Sequence, residues 1–120
     1  MSTHPEVALQ IAIADFLRLN ENRAIWEWWH VPNGELRDKR TAAKLKAMGV
    51  KPGCPDIVID HMGQIIYIEI KHGRGKLSQA QEEWYEYARF RSAPFFVVYS
   101  VDQMARLMDT LRIPIKARVA

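Results

Sequence analysis

"DIVIDHMGQIIYIEIKHGRGKLSQAQEEWYE", residues 56–86, decides the fold. Two apolar, β-branched runs, 56–60 and 64–71, flank "HMG". So close a join makes them an antiparallel hairpin. Along 64–71, Ile66, Ile68 and Ile70 point to one face and Ile65, Tyr67, Glu69 and Lys71 to the other. A carboxylate and an amine therefore share a face at the end of the most apolar strand. Ser78 and Gln81 then have capping-box spacing and open a helix to about Arg91. "FFVVYS" (95–100) reads as a continuous apolar strand, as expected at a buried position.

The flanking segments complete the pattern. A helix runs from about Pro5 to Leu19, with Thr3 and Glu6 at capping-box spacing. Val7, Ile11, Ala14 and Leu17 form a stripe, with Leu9, Ile13 and Phe16 beside it. That much apolar surface predicts a well-covered helix. "AIWEWWHV" (24–31) reads as a strand rich in aromatics and bounded by "PNG"; the plain reading of Trp26, Trp28 and Trp29 is core. Residues 36–48 read as a helix capped by Gly49, "KPGCP" as a turn, and 103–111 as a last helix capped by Asp102. The order α-β-α-β-β-α-β-α predicts an α/β fold, a mixed β-sheet flanked by helices on both faces. Residues 1–120 are expected to form one domain.

Composition narrows the class. A single cysteine, Cys54, rules out an intramolecular disulfide scaffold and suits a reducing compartment. No apolar run approaches the roughly 20 residues of a membrane span, and "MSTHPEVALQ" lacks a signal-peptide pattern, so a soluble intracellular protein is expected. The formal charge is only +3, but its distribution is uneven. Arg37, Lys39, Arg40, Lys44, Lys46 and Lys51 stand against the single acid Asp38, and His72, Arg74 and Lys76 form a second cluster. Such concentrations suit a polyanion.

The hairpin brings Asp56, at the start of one strand, towards Glu69 and Lys71 at the end of the other. Two carboxylates on the edge of a hydrophobic sheet repel each other, and a divalent cation relieves this. Mg²⁺ takes hard oxygen ligands, and the carbonyl of Ile70 can add one. Lys71 can orient water or offset charge developing on phosphorus, which is the pattern of metal-assisted phosphodiester hydrolysis. Each residue also has a plain reading. Glu-x-Lys is an ion pair, Asp56 a turn residue, Glu6 a first-turn acid, Gln81 a cap partner, and the basic helix a solvated face. None of these explains why all coincide around one hairpin.

"PD" at Pro55–Asp56, followed by "EIK" at 69–71, resembles the PD-(D/E)XK nuclease signature. Gln81 and Tyr85 have the Q-x-x-x-Y spacing of some exonuclease branches. More narrowly, the chain resembles a stand-alone VRR-NUC domain of phage or bacterial type. The matching pieces are the first helix with Glu6 and Gln10, "HVPNG" (30–34), "GVKPGCPDIVI" (49–59), "YIEIKHGRGKLSQAQEEW" (67–84) and "FFVVYSVDQ" (95–103). The resemblance implies a restriction-endonuclease-like fold. It implies Asp56 and Glu69 as ligands of Mg²⁺ or Mn²⁺, with Ile70 adding its carbonyl, and Lys71 as the catalytic lysine. Glu6 would extend the acidic site directly or through water, and Gln81 would position substrate or Lys71. The cytoplasm of a bacterial or phage-infected cell is the implied location.

DNA would be held through phosphate contacts. The candidates are Arg37, Arg40 and Lys44 on one helix face, His72, Arg74 and Lys76 around Gly73 and Gly75, and Asn33 with His30 in "HVPNG". A domain this small has little surface with which to embrace branched DNA, so a homodimer is expected. The combined expectation is a metal-dependent, structure-selective DNA endonuclease acting on branched DNA, with four-way junctions as the leading substrate. An exonuclease, or a catalytically weak DNA-binding module, is the alternative.

Overall fold

The computed structural model describes residues 5–32 and 39–116. Thr3, Asn33 and Arg37 lie outside the described residues. The elements are α1 (Pro5–Asn20), β1 (Trp26–His30), α2 (Lys39–Ala47), β2 (Ile57–His61), β3 (Gln64–Ile70), α3 (Gln79–Phe90), β4 (Phe95–Val98) and α4 (Val101–Thr110). This is the expected order, in a restriction-endonuclease-like architecture. The four-stranded sheet runs β1-β2-β3-β4, with antiparallel pairing up to β3 and a parallel β3–β4 pair.

The hairpin closes through Met62 and Gly63, both at positive φ, and Asp60 Oδ1 accepts the Gly63 N–H at 2.8 Å. Two residues with φ above zero match the right-handed twist of the flanking strands. Pairing then runs from His61↔Gln64 to Ile57↔Ile68. This register sends Ile57, Ile59, Ile66, Ile68 and Ile70 to one face, where they meet Ile13 and Leu17 of α1 and Met104 and Met108 of α4. The other face is aromatic. Tyr67 meets Trp84 edge-on at 5.9 Å, and Tyr85 of α3 meets Phe95 at 5.3 Å. Helices thus cover both faces, and no helix among the described residues is long and apolar enough to cross a membrane.

The "FFVV" strand β4 is buried at Phe95 and Val98, as expected, although it lies at the edge of the sheet. It is apolar because α3 and α4 cover its two faces, and it is only four residues long, which limits its exposed edge. Three expectations need correction. Ser100, not Asp102, caps α4, its Oγ accepting from Gln103 N at 3.0 Å, while Asp102 pairs with Arg106 at 2.7 Å. Helix α1 is not fully covered: Leu9, Ile13, Phe16 and Leu17 pack inward, but Val7 and Ile11 are exposed. Of the three tryptophans only Trp26 is a core residue; Trp28 is half-buried and Trp29 is exposed.

Candidate active site

β2 stops where Pro55 would have to donate a ladder hydrogen bond and has no N–H to give. The Asp56 side chain takes over, its Oδ2 accepting the Ile70 N–H at 2.7 Å. The hairpin is thereby prolonged by a side chain, which locks the Asp56 carboxylate beside the last residues of β3. The backbone of Asp56 is fixed from the other side. Its carbonyl accepts from Val31 N at 2.8 Å and from His30 Nδ1, also at 2.8 Å. Because a carbonyl can only accept, Nδ1 of His30 carries the proton.

Register puts Asp56 opposite Glu69, one step beyond the last pair Ile57↔Ile68. Glu69 is only 3% exposed. Its Oε2 accepts from Gln81 Nε2 at 2.8 Å and lies 3.9 Å from Lys71 Nζ. Its Oε1 is buried and has no hydrogen-bond donor. Burial, then the charge of Asp56 and a hydrogen-bonding contact with the same carboxyl, push the Glu69 pKa up to about 8, against the opposing pull of Lys71.

Gln81 serves two purposes with one amide. Its Oε1 accepts the Ser78 N–H at 2.8 Å while Ser78 Oγ accepts the Gln81 N–H at 3.2 Å, closing the capping box. That fixes which end of the amide is the nitrogen and turns Nε2 towards Glu69. Gly53 lets the loop before Asp56 lie against the first turn of α3. At φ +77 it packs so closely on the first turn of α3 that a Cβ there would collide with the Ala80 carbonyl.

A cavity of about 320 Å³ joins these groups. Asp56, Glu69, Ile70, Lys71 and Gln81 line it with Glu6 and Gln10 of α1 and His30 of β1. Lys71 N–H bonds Val98 O on the β4 side, so strand alternation turns the Ile70 N–H and C=O to the Asp56 side. Among the described residues no three His, Cys, Asp or Glu side chains approach closely enough to share an ion. Glu6 therefore borders the cavity without joining the Asp56–Glu69 pair.

The donor set present fits a divalent cation. It offers two carboxylates, one with a buried oxygen that lacks a donor, and a main-chain carbonyl aimed to the same side. A neighbouring cavity extends the site past Lys71 and is lined by Glu6, His72 and Gly75. The turn carrying His72, Arg74 and Lys76 is held there by Tyr99, whose hydroxyl donates to the Gly75 carbonyl at 2.9 Å. The three basic side chains are exposed on this rim. Arg40 and Lys44 are exposed on α2, which buries no residue, and neither lines the cavity.

Sequence reasoning missed Gly53 and Tyr99 as positioning residues and left His30 in the rim. Only Gly53 left a trace, as a glycine in the turn before Asp56. A tyrosine hydroxyl reaching a carbonyl 24 positions away leaves none.

A family model described as the VRR-NUC domain matches residues 6–102. A solved structure named a VRR_NUC domain protein superimposes with a TM-score of 0.69 at 24% identity, covering 92% of this chain and 89% of that one. At that identity the likeness is one of fold. No curated protein matches. With most of its length matched and its hairpin carboxylates, lysine and glutamine drawn into one cavity, the chain belongs to the VRR-NUC family, a nuclease-type, DNA-processing domain.

Proposed function

We propose that the protein is a divalent-metal-dependent, structure-selective DNA endonuclease that hydrolyses phosphodiester bonds in branched DNA, with four-way junctions as the leading substrate. One observation carries the metal-dependent hydrolysis: Glu69 Oε1 is buried without a donor, next to Asp56, in a cavity that also holds Lys71. A buried carboxylate oxygen in that position needs a proton or a cation.

Asp56, Glu69 and the Ile70 carbonyl would hold Mg²⁺ or Mn²⁺, which supplies Lewis acidity at the scissile phosphate and lowers the pKa of a bound water. Lys71 stays 3.9 Å from Glu69, too far for a short ion pair, so its ammonium is free to meet a phosphate oxygen or orient the attacking water. Gln81 keeps Glu69 from rotating. Glu6 acts from α1 through water. His72, Arg74 and Lys76 receive the DNA backbone next to the cut, and Arg37, Arg40, Lys44 and Asn33 contribute to binding farther out. Two copies of so small a domain would present paired sites to a junction.

The exonuclease alternative rests on Gln81 and Tyr85 together; Gln81 lines the cavity, whereas Tyr85 packs against Phe95. The deciding experiment maps cuts on single-stranded, duplex, flap, four-way and closed circular DNA with Mg²⁺ or Mn²⁺. Expected is internal cutting near branch points, abolished by EDTA and slowed about a hundred- to a thousandfold by Lys71→Met. Tight binding of DNA with no cutting under any ion would leave only a binding module. Cutting that requires a free end would make the protein an exonuclease.

A further inference from the structure

Next to the catalytic cavity lies a groove of about 400 Å³ between α1 and the end of β1, lined by Gln10, Ile11, Ala14, Arg18, Trp28, Trp29 and His30. We propose that this groove is a stacking subsite for an unpaired nucleobase adjacent to the scissile phosphate. The inference rests on the nuclease reading above and adds the feature by which the site would distinguish a branch from plain duplex.

The groove is continuous with the catalytic cavity, because Gln10 and His30 line both. A strand whose phosphate lies at Asp56 and Glu69 therefore has a neighbouring nucleotide within reach of it. Its walls are the apolar surface that the core leaves uncovered. Ile11 is 54% exposed on α1, and Trp28, which shares the α1 face of the sheet with core Ile59, is only half-buried. Large apolar side chains grouped beside a functional cavity mark a place of contact.

The chemistry suits a base. Aromatic rings and guanidinium planes are the surfaces on which unpaired bases stack. Arg18 sits 5.8 Å over the Trp28 ring and is steadied by Asp15 at 2.7 Å. The Trp28 indole N–H donates to Glu21 Oε2 at 2.7 Å, which holds that ring in place before any ligand arrives. Gln10 offers an amide donor and acceptor to a base edge. A base inside a duplex has both faces covered and cannot enter; a base at a flap or junction has paid most of its unstacking already. The other exposed aromatic face, Tyr87 and Phe90 on α3, lies among Glu82, Glu83 and Glu86 and would repel a phosphate backbone.

The test uses the full chain with Ca²⁺ in place of Mg²⁺ and flap DNA carrying 2-aminopurine at each unpaired position beside the branch in turn. Wild type and Trp28→Phe should quench the probe severalfold at one position, and Trp28→Ala should not, since Trp28 and not Trp29 shares the α1 face of the sheet. Should Trp28→Ala fail to fold, Ile11→Glu, a substitution at an exposed helix position, replaces it and should weaken flap binding about tenfold relative to duplex. Equal quenching in the wild type and in both Trp28→Ala and Ile11→Glu overturns the subsite. So does a change of oligomeric state in these variants with quenching intact, since the groove would then hold a second copy. Parallel cleavage assays separate the two readings. Quenching that depends on Trp28 without cutting under Mg²⁺ or Mn²⁺ keeps the subsite and sinks the nuclease. Cutting without that quenching does the reverse.

Discussion

Glu69 is the residue on which the proposed chemistry turns, and its environment makes a pH prediction. Burial and the Asp56 carboxylate raise its pKa from 4.5 to about 8. Between those values the folded chain keeps a proton that the unfolded chain has lost. Stability is therefore fully present below about pH 4.5 and falls as pH rises to about 8. Thermal melting in EDTA from pH 5 to 9 should show this decline, and Glu69→Gln should flatten it. A wild-type profile as flat as that of the variant would refute the assignment. Mn²⁺ should raise the melting temperature more at pH 8.5 than at pH 5.5, because a cation replaces the proton only where the carboxyl would otherwise be charged and unpaired. The alternation of β3 already told, from sequence, that Glu69 and Lys71 share a face. That Oε1 lacks a donor while Oε2 has Gln81 was not legible, because it depends on where α3 docks.

Elements position the site through two contacts that strand and helix patterns do not announce. The loop before Asp56 meets the first turn of α3 at Gly53, where positive φ and the Ala80 carbonyl both exclude a side chain. Gly53→Ala should cost about 2 kcal/mol or more by urea denaturation, from strain and steric conflict together. It should also lower cleavage, because Gln81 moves with that turn; full activity at reduced stability would remove Gly53 from the site's architecture. The second contact is Tyr99 to Gly75. Tyr99→Phe deletes one hydrogen bond of about 1 kcal/mol and frees the basic turn. Its DNA affinity should fall while melting changes little, a split that binding titrations and calorimetry can read. Helix boundaries were legible wherever caps are local, as at Ser78–Gln81. The α4 cap was misplaced because Ser100 and Asp102 both suit an N-terminus, and only the end of β4 decides between them.

At the scale of the molecule, basic groups surround the candidate active-site cavity unevenly. The His72–Lys76 turn is on its rim, whereas Arg40 and Lys44 stand apart on a helix that buries nothing. Both groups bind phosphate in our reading, so alanine at Arg40 or Lys44 should reduce the slope of log affinity against log salt by about 1 each without changing which structure is cut. An unchanged slope in filter-binding assays would leave α2 outside the DNA footprint. The sheet itself is anchored at its far end by long-range polar ties: Trp26 Nε1 donates to the Pro114 carbonyl at 3.0 Å, and buried Asn20 accepts from Lys116 N at 2.8 Å.

The amino-acid sequence by itself determined the order of elements, the hairpin, the shared face of Glu69 and Lys71, and the membership of Asp56 in their group. These follow from the two-residue period of a strand and from the tight join at "HMG", both of which are local. Only the tertiary structure decided that β4 is an edge, that Gln81 reaches Glu69, that Glu6 borders the cavity without joining the carboxylate pair, and that Val7, Ile11 and Trp29 are left in the open. Each of those depends on how one helix settles against the sheet, and settling is governed by packing between residues far apart in the chain.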